Sequence, residues 1–167
     1  MQSLNLRVHT AEPRGVGGWL LLFCVMETIV SPAFCVFFLS SDLARILADW
    51  SAFQLVPTFR LVSDVGGFGL TAFSIYVGVA LWSVKPNAVR FAKALLIVQF
   101  AYTVVGEVAG LCLGTSLLFW EPAPNMGTTI VDLVGNGAGF AIWFTYFRES
   151  KRVKATYGSP EPNAVGM

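Results

Sequence analysis

The chain has 167 residues, 55% of them apolar and only 13% charged, with a net charge of +1 and a mean hydropathy of +0.66. A soluble domain carries about twice that charged fraction, so composition excludes an ordinary soluble globule. The near-neutral balance, with a pI near 7.7, also excludes nucleic acid as an expected partner and leaves the lipid bilayer in its place.

Residues 1–16 read as a polar N-terminal arm, carrying Arg7, Arg14 and the single histidine, His9. A lone histidine on a solvated arm offers no catalytic base. The first apolar stretch runs from Gly17 to Leu39. It is too long for a signal-peptide core, a polar arm precedes it, and the residues before Cys24 and Cys35 do not form a lipidation site, so a retained span is expected. Within it Pro32 removes a backbone donor and is expected to kink the helix.

The connection from Ser40 to Pro57 is more than a loop. Leu43, Ile46, Leu47, Trp50 and Phe53 recur at helical spacing, with Asp42, Arg45 and Asp49 on the other face. That pattern predicts a short amphipathic helix on the outer membrane surface. Pro57 then opens the second span, a position where proline is tolerated.

Three further apolar stretches run from Thr58 to Val84, Phe91 to Trp120 and Gly127 to Phe147. Each has at least about 20 residues, enough to cross roughly 30 Å of hydrocarbon as a helix. Lipid satisfies no backbone polar group, and the alternating ten-residue segments of a β-barrel are absent, so helices are expected. Lys85-Pro86-Asn87 and Glu121-Pro122-Ala123-Pro124-Asn125-Met126 are tight turns. The expected fold is an all-α integral membrane protein: an antiparallel, up-down bundle of four transmembrane helices spanning residues 17–147, with the amphipathic helix between spans one and two.

Nine of the eleven Lys and Arg residues lie on one side of this arrangement: Arg7, Arg14, Lys85, Arg90, Lys93, Arg148, Lys151, Arg152 and Lys154. The positive-inside bias makes that side, and both termini, cytoplasmic. Trp19, Trp82, Trp143 and Tyr146 suit the inner interface, Trp50 and Trp120 the outer. Residues 148–167 form a basic tail in which Lys151, Arg152 and Lys154 set topology and meet headgroups; from Gly158 onward no apolar periodicity remains.

Each span carries one carboxylate: Glu27, Asp64, Glu107 and Asp132. Charge at the bilayer centre costs several kcal/mol, so each needs an explanation. Glu107 shares a face with Gly110 and Gly114, part of a series Gly106, Gly110 and Gly114; Asp132 shares a face with Gly135, Asn136 and Gly139; Asp64 shares one with Arg60, Gly67 and Thr71. Small residues at such spacing let helices approach closely, so the acids are expected to point into the bundle and meet one another. The structural reading pairs Arg60 with Asp64 and makes the other acids protonated hydrogen-bond donors between helices. The functional reading is a proton or cation site, open to the outside and closed to the cytoplasm.

Cys24, Cys35 and Cys112 all fall within spans, an odd set with no histidine at ligand spacing, so neither a disulfide framework nor a metal centre is expected. Phosphate-cradling glycine loops, HExxH, CxxC and serine-nucleophile motifs are missing, and neither an enzyme nor a cofactor is expected.

Two stretches resemble a known family. Gly17-Gly18-Trp19-Leu20 leads into span one, with Ser31-Pro32 further along, and Tyr146-Phe147-Arg148-Glu149-Ser150-Lys151-Arg152-Val153-Lys154-Ala155-Thr156 closes span four. The chain resembles the bacterial four-span membrane proteins of domain of unknown function 2569. That resemblance implies the fold and a bacterial inner-membrane location, and no activity. From small size, absent enzyme motifs and glycine-rich faces, the expected function is a non-catalytic accessory or scaffold subunit of a membrane complex, with a protein partner or as a homo-oligomer. The alternative is a small transporter or channel-like protein that uses the intramembrane carboxylates.

Overall fold

The computed structural model describes residues 15–37, 40, 57–113 and 125–157, the side chains of residues 57–61 excepted. The expected outer-surface helix, the N-terminal arm before Gly15, the tail from Gly158 and Gly114 lie outside the described residues. All regular structure among the described residues is helical. Four helices are long and apolar enough to cross a membrane: α1 (Trp19–Phe37), α2 (Pro57–Trp82), α3 (Ala88–Leu113) and α4 (Met126–Glu149). A short fifth helix, α5 (Lys151–Tyr157), succeeds them.

Local chemistry sets the helix ends. Asn125 caps α4 by accepting from the backbone N–H groups of Gly127 (3.0 Å) and Thr128 (3.1 Å), and the Thr128 hydroxyl accepts in return from the Asn125 N–H. This reciprocal box satisfies amides that would otherwise be orphaned. At the other end Ser150 turns extended (φ −60°, ψ 120°), so the basic segment does not prolong span four as one rod. Its carbonyl and hydroxyl then accept from Lys154 and Val153 and start α5 as a separate helix.

The end of α2 is unusual. The Lys85 N–H reaches the Ala80 carbonyl (3.0 Å) and the Val84 N–H reaches Leu81 (3.1 Å), the bond pair of a Schellman cap. That cap places its penultimate residue in the left-handed region, and here the residue is Val84, at φ 49°. A β-branched side chain there is strained. Val84→Gly is expected to stabilise the protein by roughly 0.5–1 kcal/mol, the relieved strain less the entropy glycine adds to the unfolded chain. A lower melting temperature for the variant in detergent would contradict this.

The buried core is concentrated at the end where the start of α1, α5 and the α2–α3 turn meet. Leu20, Phe23 and Cys24 from α1, Val77, Ala80 and Leu81 from α2, and Ala88, Ala92, Leu95 and Leu96 from α3 pack there with Phe147 and Val153. Trp143 closes edge-to-face on Phe23, with ring centroids 5.0 Å apart, and Phe23 meets Phe147 at 4.8 Å. Elsewhere large apolar side chains such as Val36, Val105 and Val131 lie open, as lipid-facing residues do.

The two terminal stretches meet at this closed end. The Gly15 N–H donates to the Thr156 hydroxyl (3.0 Å), and the Arg152 guanidinium lies 3.1 Å from where a Cβ would stand on Gly17 or Gly18. Gly18 adopts φ 59°, so a side chain there would be strained as well as obstructed. The Tyr157 hydroxyl donates to the Leu81 carbonyl (2.6 Å) and locks α5 beneath α2. Burial pushes the Tyr157 phenol up from its ordinary value of 10.0. The folded chain therefore holds that proton more tightly than the unfolded chain. The resulting stability is whole below pH 10 and drains as pH climbs beyond it. Tyr157→Phe is expected to cost about 1 kcal/mol at neutral pH and to flatten the alkaline loss; unfolding measured at neutral and alkaline pH checks both.

Candidate functional site

Above the aromatic floor the helices part, and a cleft of about 170 Å³ opens between α1, α3 and α4. Glu27 comes from α1, Leu96, Gln99, Phe100 and Thr103 from α3, and Asn136, Gly139, Phe140 and Trp143 from α4.

Glu27 lies in a π-helical turn, Met26–Val30, that interrupts α1. In this register each N–H bonds the carbonyl five residues back, as Ser31 does to Met26. The next donor would be residue 32, reaching the Glu27 carbonyl, and residue 32 is proline. The Glu27 carbonyl is thereby left without its helical donor. Ser74, fully buried on α2, supplies one: its hydroxyl lies 2.9 Å from that carbonyl oxygen. The kink expected at Pro32 thus takes the form of a π turn whose orphaned acceptor is satisfied across the helix interface.

Ser74 Oγ also contacts the Glu27 side chain at Oε2, and Gln99 Nε2 donates to the same oxygen from 3.3 Å. A hydroxyl has one proton, so Ser74 cannot donate to both the carbonyl and the carboxylate. Two arrangements are possible, and only the second also serves the Glu27 carbonyl. With Glu27 ionised, Ser74 donates to Oε2. With Glu27 protonated, its O–H donates to Ser74 Oγ and Ser74 donates to the Glu27 carbonyl. A proton on Glu27 is therefore coupled to a rotation of the Ser74 hydroxyl.

The four carboxylates do not converge here. Among the described residues only Glu27 of the four lines the cleft, and no three Asp, Glu, His or Cys side chains come within reach of one metal ion. Asp64, Glu107 and Asp132 are half-buried. Spacing explains the separation: Glu107 stands one turn beyond Thr103 on α3, and Asp132 one turn beyond Asn136 on α4, about 6 Å farther from the aromatic floor. Arg60 falls in the first turn of α2, where side chains lie outside the described residues.

The glycine series divide. Gly106 and Gly110 are buried on α3, the helix against which α4 packs. Gly135 and Gly139 bring no neighbour close, since a Cβ at either would meet nothing within 4 Å among the described residues. On α4 Gly137 is the position that approaches Phe100, at 3.7 Å, while Asn136 and Gly139 line the cleft and Gly135 is exposed. The Asn136 amide donates to the Asp132 carbonyl one turn back (2.8 Å). Lys151 and Lys154 are exposed on α5, whereas Arg152 is tucked against the N-terminal glycines.

Sequence reasoning passed over Ser74, Gln99 and Thr103. A signal was present: Ser74 prolongs the Asp64–Gly67–Thr71 stripe, and Gln99 and Thr103 precede Glu107 at intervals of four.

A stretch of taste receptor type 1 member 3 from Rattus norvegicus is 24% identical to this chain over 135 residues, covering 74% of the chain and 15% of the receptor. The chain thus spans less than a sixth of that relative's length. No solved structure matches it. The family described as "Protein of unknown function (DUF2569)" matches residues 13–158, which include both terminal stretches and all four long helices. The chain, an all-helical protein with four candidate membrane spans, belongs to that family.

Proposed function

We propose that this protein is a small multi-pass protein of a bacterial inner membrane, its termini cytoplasmic, that binds and releases protons or small cations at Glu27. The observation that carries the reading is the shared Ser74 hydroxyl, which partners the Glu27 side chain as donor when it is ionised and as acceptor when it is protonated. Thr103 and Asn136 line the cleft, Glu107 and Asp132 follow one turn farther along α3 and α4, and packed aromatic rings close the terminal end. That asymmetry suits exchange with the outside.

Infrared spectroscopy of the protein in lipid tests it. A protonated-carboxyl band that comes and goes with external pH and disappears in Glu27→Gln is expected, together with proton or cation flux in liposomes that the variant lacks. A Glu27 band fixed at every pH would sink the proposal.

A second reading, an accessory subunit seated on a different protein, draws on α4. It is the least apolar of the four spans, at mean hydropathy 1.2, yet only 6% of its apolar window is buried. Native mass spectrometry from the membrane separates the cases: a heteromeric complex favours the subunit, a lone or homo-oligomeric species the exchanger.

A further inference from the structure

We infer that the cleft's ligand is a small organic ammonium ion carrying apolar substituents, an inference that rests on the Glu27 site proposed above. Three features select that class.

The first is charge. Among the described residues Glu27 is the one ionisable side chain lining the cleft, and both of its side-chain hydrogen bonds fall on Oε2, which leaves Oε1 for a ligand. A single carboxylate matches a monocation. A hard metal ion asks for six or more oxygen ligands, which this lining does not assemble.

The second is the wall. Phe100 and Phe140 line the cleft and stack on each other with centroids 5.1 Å apart and ring planes at 21°, and Trp143 lines it beside them. Aromatic faces attract cations through their quadrupole, and weakly hydrated alkylammonium ions gain most because they lose little water on entry. The same ring file already holds a cation elsewhere. Phe140 stacks on Phe144, and the Lys93 ammonium sits 6.0 Å over the Phe144 ring. Lys93 therefore marks the far end of the file from the cleft and sets a positive stop toward the terminal side.

The third is size. A cavity of about 150 Å³ takes a six-carbon ring, so the cleft's 170 Å³ suits an ion of about five to seven heavy atoms. Tetramethylammonium and choline fall in that range.

The test is titration of the purified protein in nanodiscs with tetramethylammonium, read by tryptophan fluorescence and calorimetry, with sodium and the uncharged choline analogue 3,3-dimethylbutan-1-ol in parallel. Saturable tetramethylammonium binding is expected, with sodium and the neutral analogue each weaker by about tenfold or more. Phe140→Leu should weaken the ammonium severalfold. Glu27→Gln should weaken it at least tenfold; if that variant misfolds, Phe140→Leu and the neutral analogue still decide. No tetramethylammonium binding, or binding equal to the neutral analogue or unchanged in Phe140→Leu, overturns the inference. If the Glu27 band still responds to external pH in that case, only the ligand class falls; if it does not, the proposed function falls too.

Discussion

Ser74→Ala is expected to destabilise the protein by about 1–3 kcal/mol, because it strands an acceptor that no other described residue reaches. The Ser74 side chain is fully buried, so water does not readily replace the hydroxyl. Its loss uncovers the Glu27 carbonyl, which Pro32 already leaves without an amide donor, and removes one of the two partners of Oε2. The source of the penalty can be isolated by restoring the missing donor. Pro32→Ala returns an N–H to the position that the π register aims at the Glu27 carbonyl, so Pro32→Ala/Ser74→Ala should recover much of the loss. Thermal unfolding of the single and double variants gives the coupling directly. Additive effects would mean that Pro32 and Ser74 do not share the Glu27 carbonyl. The same variants bear on function, since a Glu27 without Ser74 loses the partner that serves both of its protonation states.

Much of this arrangement is legible along the chain. Four apolar stretches of span length, the kink expected at Pro32 and the polar stripes on α2, α3 and α4 are all consequences of spacing and residue chemistry. Height and phase between helices are less legible. Four acids read as one cluster because each falls in the central or far part of its span, yet a displacement of one turn separates Glu27 from Glu107 and Asp132. The π turn adds a residue to one turn of α1 and rotates the helix beyond it, which no period of 3.6 anticipates. The glycine phase on α4 misleads for a related reason. Gly135 and Gly139 have the spacing of a packing face, but α4 leans on α3 through Gly137 and the stacked Phe100 and Phe140 rings. The terminal stretches show the reverse case. The Gly17-Gly18 pair and the Ser150–Tyr157 segment are remote in sequence, and their purpose becomes plain only when Arg152 is found against the glycines and Tyr157 against Leu81.

Gly78→Ala should be the most damaging single-methyl change in the described part of the bundle. An added Cβ would stand 2.2 Å from Thr28 Cγ2 and 3.5 Å from the Thr28 backbone nitrogen, on the face where α2 meets the π turn. Thr28 has little freedom to retreat, because its hydroxyl donates to the Cys24 carbonyl (2.6 Å) and a β-branched side chain in a helix is confined at χ1. The helices must then separate, at an expected cost of roughly 1–3 kcal/mol or more. Separation at this point also draws Ser74, one turn before Gly78 on α2, away from Glu27, one residue before Thr28 on α1. The variant should therefore shift the Glu27 carboxyl band in the infrared as well as lower the melting temperature. Thr28→Ser keeps the hydroxyl and removes the obstructing methyl, so Gly78→Ala/Thr28→Ser is expected to regain both stability and the native band. Stability regained without the band would show that Ser74 and Glu27 do not depend on this contact. A double variant as unstable as Gly78→Ala alone would show that the methyl-to-methyl clash is not what holds the two helices at their distance.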